Sequence, residues 1–540
     1  VTFLIIYYLL LSLSLFFLFP KAGEAGWKGL VPGYNFVVWC RLVGRKEIHA
    51  IWLLIPIVNI FIYAGLAIDM VRSFQKYTFW HSVLAVLFTP LFFFYLAFQK
   101  EESYDGPTLV KEQAYKEKLK EAQENNKAQQ VKRLLAQNPY KKTQLREWAE
   151  AVIFAVFAAA FIRMFLIEAY VIPTPSMEDS LMVGDFLFVS KVNYGIRTPQ
   201  TIAMVPLLHN RIPQLGLESY LRKPQLAYNR LPALESIDRN EPVVFNYPEG
   251  DSVYVFPDRT WSIYDYRRGA IQNPAYIRQI KTDRKKLVVR PLDKKDHYIK
   301  RCIGLPGDSL QIINKQVHIN GAPVENPSQM QFVYRVSSPN GPINLRRFED
   351  WGISINDGMG GAGDILSGTA ENMIVVLTED QKEKVRQMDA SIRVQPIDWP
   401  ADQDGKFFPH DPEHFGPWTW DNYGPIHIPA KGETVPLKPE SVAMYERAIT
   451  VYEGNTLEFR DDTFLLNGEP AESYTFQQDY YWMMGDNRHN SEDSRVWGYV
   501  PEDHVVGKPL FIWFSLRNNK LFGEGGGIRF DRLFSSATKK

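Results

Sequence analysis

The sequence predicts a mainly β domain built of antiparallel sheets, carrying an inserted mixed α/β subdomain and preceded by transmembrane helices. Three observations predict it. The first hundred residues hold long apolar runs free of charge, and beyond residue 168 the chain breaks into short apolar or aromatic runs bounded by Gly, Pro and Asn. One later stretch reads as strand, helix and strand. With 540 residues and 45% hydrophobic content, the chain can hold two or more cores. Lys plus Arg and Asp plus Glu balance at 61 each, with no tail of one sign, so no nucleic-acid partner is expected. The two cysteines, Cys40 and Cys302, are too few for a disulfide framework and are read as free.

Thr2 to Phe19 is uncharged and about long enough to cross a hydrocarbon core of about 30 Å at 1.5 Å per residue. A secretory signal is the alternative, but no basic residue precedes the run, and Ala22 and Ala25 are a poor cleavage cue. Trp27 to Cys40 reads as a loop or an interfacial helix. Ile48 to Ile68 and Phe79 to Phe98 read as two further spans, so residues 1–98 form a membrane module of about three helices. Residues 99–148 read as a charged linker, partly helical, and 149–168 as a fourth span. The Lys and Arg of this linker, and of the loop with Lys21, Lys28, Arg41, Arg45 and Lys46, place both in the cytoplasm. Everything after Glu168 then lies outside it. Arg163, near the outer end of the fourth span, is placed to snorkel.

The β domain is expected in two parts, 169–325 and 480–540, around an inserted subdomain at 326–479. Strands are expected at Asp185–Ser190, Pro242–Tyr247 and Phe511–Phe514. Leu310–Ile313 and Gln316–Ile319 form a hairpin about Asn314-Lys315, with further turns at Asn320-Gly321 and Asn467-Gly468. Arg197 to Glu241 reads as an irregular insertion. In the subdomain, Met373–Leu377, Thr378–Met388 and Ser391–Pro396 read as strand, helix and strand. The run Gly358 to Asp364 lacks the Gly-Lys-Ser/Thr of a phosphate loop and reads as a flexible loop. Pro412 between His410 and His414 argues against a helical metal pair.

The chemistry is sought at Ile172-Pro173-Thr174-Pro175-Ser176-Met177, directly after the fourth apolar run. The prolines keep the backbone extended, so Ser176 is presented rather than buried in a helix. Alone, such a Pro-Ser-Met is usually a turn. A serine also needs a base, and the chain has no Gly-x-Ser-x-Gly elbow and no histidine in a recognisable triad context. Lysine can serve if its amine is neutral; lowering its pKa by about two units takes about 2.7 kcal/mol, which burial supplies. Lys300, in Tyr298-Ile299-Lys300-Arg301-Cys302, is flanked by apolar residues on an expected strand. A lone lysine on a strand is by default an exposed charge. Cys302 reads as a small buried side chain.

Taken together, four motifs resemble in order and wording those of bacterial signal peptidase I, in a long form with extra N-terminal transmembrane segments. They are the proline-flanked Ser176-Met177, Pro242-Val243-Val244-Phe245 with Tyr247-Pro248, Tyr298 to Asp308, and Gly485-Asp486-Asn487-Arg488 with Asn490-Ser491 and Asp493-Ser494-Arg495. The resemblance covers about Glu168 to Phe514 without the insertions. It implies a membrane-anchored endopeptidase that cuts signal peptides from exported preproteins after small residues, with Ser176 as nucleophile and Lys300 as general base. It further implies that Ser491 orients the lysine amine, and that the Thr174 hydroxyl and the Ser176 N–H meet the oxyanion. Asp493 and Arg495 would brace the site as an ion pair joined by Arg301. Tyr170, Ile172, Met177, Leu181, Tyr298 and Ile299 would line the substrate pockets. No metal or cofactor is implied; the partners are preproteins and the bilayer of the cytoplasmic (inner) membrane, with the catalytic domain on the outer, periplasmic side. Glu178-Asp179 departs from the family pattern and reads as a pair of exposed carboxylates at a turn. A self-cleaving repressor-type protease and a non-catalytic membrane protein are the rival readings. Four apolar spans oppose the first, and the presence of Ser176, Lys300 and Ser491 together opposes the second.

Overall fold

The computed structural model describes residues 2–54, 58–141, 144–201, 203–212, 217–257, 259–355, 363–397, 399–402, 405–522 and 526–538. The chain divides into two units, Val1–Phe157 and Ala158–Lys540.

In the first unit, helices Thr2–Leu18, Tyr34–Val43 and Val58–Arg72 pack with Phe79–Leu87 and Thr89–Phe98. Leu11, Leu15 and Leu18 meet Val38, Trp39, Leu66, Met70, Phe93 and Leu96 in one core. Ile5, Leu9, Leu13, Phe17, Leu87, Leu91 and Phe98 face outward. The segment expected as a loop or interfacial helix instead contributes a core helix, because Val38, Trp39, Leu42 and Val43 fall on one buried stripe. Among the described residues, one helix is by itself long and apolar enough to cross a membrane, over Ile5–Ala22. The expected third span is two helices bent by 115°. The bend falls at Phe88, whose ψ of 40° leaves the helical region, just before Pro90, which lacks an N–H to continue the ladder. The expected second span is helical at His49–Trp52 and again from Val58. The charged linker carries helices Thr108–Glu124 and Ala128–Ala136, and Gln144–Phe165 follows as a 22-residue helix.

The second unit is built on an antiparallel sheet of Ile167–Val171 (β1), Asp185–Ser190 (β2), Pro242–Asn246 (β3), His297–Gly304 (β4), Tyr480–Met484 (β5), Val500–Pro501 (β6) and Val505–Ser515 (β7). Its order is β1-β2-β7-β3-β4-β5-β6, with Ser535–Ser536 added to β7. β3 is buried at every position, which explains its continuous Pro-Val-Val-Phe run. On β2, Leu187 and Val189 point into the core while Phe186 and Phe188 do not. β4 pairs with β3 across residues 297–301, whereas β5 meets it only at Arg301, Cys302 and Gly304. The half of β4 that carries Tyr298 and Ile299 therefore keeps one edge clear of β5.

The hairpin forms in the expected register, with Ile313 opposite Gln316. Asn314 and Lys315 both take positive φ, 48° and 73°, as a two-residue turn matched to the strand twist requires. Met373–Leu377, Thr378–Met388 and Ser391–Pro396 appear as Asn372–Thr378, Glu379–Arg386 and Arg393–Pro396. Two unanticipated strands, Gln331–Ser337 and Ile365–Thr369, complete that four-stranded sheet. Strand Tyr423–His427 pairs with Ser309–Ile313, so Tyr423 and Ile426 share a core with Ile303, Leu310, Tyr480 and Trp482. Residues 358–362 of the glycine-rich run lie outside the described residues. His410 bonds to the Gly405 carbonyl and His414 to Asp411. Cys40 and Cys302 are free and buried.

Candidate active site

A cavity of about 800 Å³ lies between the end of β1, the turn after it, the 297–300 half of β4 and the loop after β5. Pro175–Met177 form a single 3-10 turn, which Pro173 and Pro175 keep from extending back into β1. Ser176 is thereby held at the cavity wall, 8% exposed. Val243 on β3 fixes the position of Lys300 by pairing opposite it. Lys300 Nζ reaches Ser176 Oγ at 2.7 Å and donates to the Ile299 carbonyl at 3.0 Å. Its ammonium sits 5.6 Å from the centre of the Tyr298 ring. Burial pushes the Lys300 pKa down to about 8, against the opposing pull of Asp493, Glu492 and Asp486. Thr174 Oγ1 lies 3.5 Å from Ser176 Oγ.

Of the other residues singled out from the sequence, Tyr170, Ile172, Met177, Tyr298 and Ile299 line the cavity with Ser491. Leu181 does not. It is fully buried beneath the site with Leu187, Val189 and Val506, because it points to the inner side of the turn. Among the described residues the buried Ser491 hydroxyl has no hydrogen-bond partner, and no bond joins it to Lys300, whose amine is taken up by Ser176 and Ile299. Asp493 and Arg495 pair through two bonds of 2.9 and 2.7 Å, both fully buried. Although burial opposes it, Arg495 holds the Asp493 carboxyl below its usual range.

Arg301 does not join that pair. It forms its own two-bond pair with Asp486, at 2.8 and 2.6 Å, and Ser180 Oγ donates to the same carboxylate at 2.6 Å. Asp486 stands in the Gly-Asp-Asn-Arg motif, so the signal was present but its partner was not. Glu178 is not an exposed carboxylate either. It is half-buried, Oε2 has no partner among the described residues, and burial together with Asp364 raises its pKa to about 7. Sequence reasoning also missed Arg259 and Glu492, paired at 3.1 Å on the cavity wall, and His489, which bonds Asp421 at 2.7 Å and accepts from the Val333 N–H and Trp399 Nε1. No short motif marks these, since each partner lies on a distant segment.

A family model described as signal peptidase, peptidase S26, matches residues 145–358 and 431–514. A second, described as a family of unknown function (DUF5684), matches residues 27–107. Signal peptidase I of Buchnera aphidicola subsp. Acyrthosiphon pisum is 24% identical over 388 residues, 71% of this chain and 80% of that protein. Signal peptidase I of Haemophilus influenzae is 23% identical over 396 residues, 71% of this chain and 74% of its own length. That of Helicobacter pylori (strain ATCC 700392 / 26695) is 22% identical over 400 residues, 72% and 90% respectively.

Proposed function

The chain belongs to the signal peptidase family, peptidase S26, and we propose that it is a membrane-bound serine endopeptidase that removes signal peptides from exported preproteins, cutting after small residues. The contact that carries this reading is the 2.7 Å approach of Lys300 Nζ to Ser176 Oγ, both side chains buried at the wall of the cavity. With its pKa near 8, about one tenth of the lysine is neutral at pH 7 and able to accept the hydroxyl proton. The target segment adds as a β-strand along the edge of β4 that β5 leaves clear, opposite Tyr170 and Ile172. Its small side chains enter pockets walled by Ile172, Met177, Tyr298 and Ile299.

Ser176 Oγ attacks the scissile carbonyl carbon while Lys300 takes the Oγ proton. The oxyanion is met by the Ser176 N–H and the Thr174 hydroxyl. As the intermediate collapses, Lys300 returns its proton to the departing amine and an ester remains on Ser176. Lys300 then deprotonates a water, whose attack releases the acid and restores the serine. Ser491, a buried hydroxyl on the cavity wall with no hydrogen-bond partner among the described residues, is the group suited to take up the amine as its protonation changes. The paired Asp493 and Arg495 brace the loop after β5.

Apolar outward faces on Thr2–Leu18 and Thr89–Phe98, and the apolar stretch Phe154–Phe165, support anchorage in a bilayer with several passes. The excess of Lys and Arg in the linker supports a cytoplasmic linker with the catalytic unit outside. Purified full-length protein in detergent, given a preprotein, should shorten it at the signal-peptide junction. Lys300→Met should slow this by about 10²–10⁴ or more, and Ser176→Ala should abolish it. Cleavage by either variant at the parental rate contradicts the mechanism.

A further inference from the structure

A second cavity, of about 100 Å³, opens beside the end of helix Gln144–Phe165; His297 lines it and also lines the first. Four cations face it, Arg163, Lys191, Arg197 and Lys294, against two carboxylates, Glu168 and Asp293. Glu168 is shared at 2.7 Å between Arg163 and Lys191. Asp293 is committed to the Thr201 N–H and hydroxyl, both at 2.8 Å. Lys294, 3% exposed, has the Met204 thioether as its hydrogen-bond partner at 3.1 Å, and Arg197 donates to the Asp503 carbonyl at 2.9 Å. Among the described residues, neither cation has a carboxylate within ion-pair distance. A surplus of positive charge in a half-buried cleft is costly unless an anion balances it.

We propose that this cavity binds the phosphate of a phospholipid that carries net negative charge. The volume suits one tetrahedral oxyanion, and the Arg197 guanidinium, which gives one donor to the Asp503 carbonyl, suits recognition of phosphate oxygens together with Lys294, while Arg163 is tied to Glu168 and the Leu207 carbonyl. A lipid is favoured over a free phosphate by the surroundings. Ala160, Arg163 and Met164 on the wall belong to the helix whose residues Phe154–Phe165 are apolar, and acyl chains leaving the cavity meet that surface. A zwitterionic headgroup brings its own cation and leaves the surplus unbalanced. The site also touches the first cavity, because Tyr170 on that cavity's wall donates to Glu168 at 2.7 Å.

The proposal goes beyond the peptidase reading and is tested without catalysis. Full-length protein in neutral detergent is titrated with phosphatidylglycerol or phosphatidylcholine and the retained lipid is read by native mass spectrometry. Wild type should favour phosphatidylglycerol by about tenfold; Arg197→Gln with Lys294→Gln should lose that preference, and Lys294→Arg should keep it. If the double variant does not fold, the two single substitutions are each expected to weaken the preference. Equal retention of both lipids by wild type, or an undiminished preference in folded charge-removing variants, overturns the site. Tighter binding of glycerol 3-phosphate than of phosphatidylglycerol overturns its assignment to lipid.

Discussion

Two buried guanidinium–carboxylate pairs frame the serine and the lysine, and they are built differently. Arg495 and Asp493 are two residues apart, whereas Arg301 and Asp486 are joined across 185 positions and accept Ser180 as a third member. Breaking a fully buried pair leaves a charge uncompensated, so Asp486→Asn should cost about 3–5 kcal/mol, read as a lower denaturant midpoint. Glu492 acts on the lysine itself. Its carboxylate raises the Lys300 pKa against burial, so Glu492→Gln should move the ascending limb of the pH–rate profile to lower pH. A limb that moves up, or stays, contradicts that electrostatic role. The contact between Ser176 and Lys300 was legible because their neighbours carry the motif. The partner of Arg301 was not, since two aspartates in one loop offer the same chemistry and only the fold chooses. Glu178 was misread because a carboxylate next to a turn is normally solvated, while here Asp364 arrives from a distant segment.

At the scale of elements, the loop after β5 is packed against the Ser176 turn through a glycine. A Cβ on Gly485 would stand 2.2 Å from Ser491 Oγ and 2.5 Å from the Ser176 carbonyl oxygen. Gly485→Ala must therefore displace backbone at Ser176, and a shift of about 1 Å there should lower kcat/KM by about 10²-fold; an unchanged rate shows that the loop gives way instead. The hairpin at Asn314-Lys315 was readable because a two-residue turn fixes the register of both strands. Strands Gln331–Ser337 and Ile365–Thr369 were not read: the first stands between Asn326-Pro327-Ser328 and Pro339-Asn340-Gly341, a usable strand signal that was overlooked, and the second is mostly exposed. The bend at Phe88 escaped for a related reason. Hydropathy reports the length of an apolar run and is silent on its direction.

Over the whole molecule, two parts of different character share one chain. Residues 27–107 match a family of unknown function, and the peptidase match begins at 145. The charge of the linker sets the expected topology: a reporter fused after Lys100 should be cytoplasmic and one fused after Lys520 external, and the reverse pattern contradicts it. All of this serves a serine and a lysine brought together from separate strands and turns. The most direct test is kcat/KM for preprotein cleavage by the full-length enzyme as a function of pH. The rate should climb as the lysine loses its proton, with a midpoint near 8, and Lys300→Met should leave no such limb. A flat profile, or one whose limb survives in Lys300→Met, means that another group takes the serine proton.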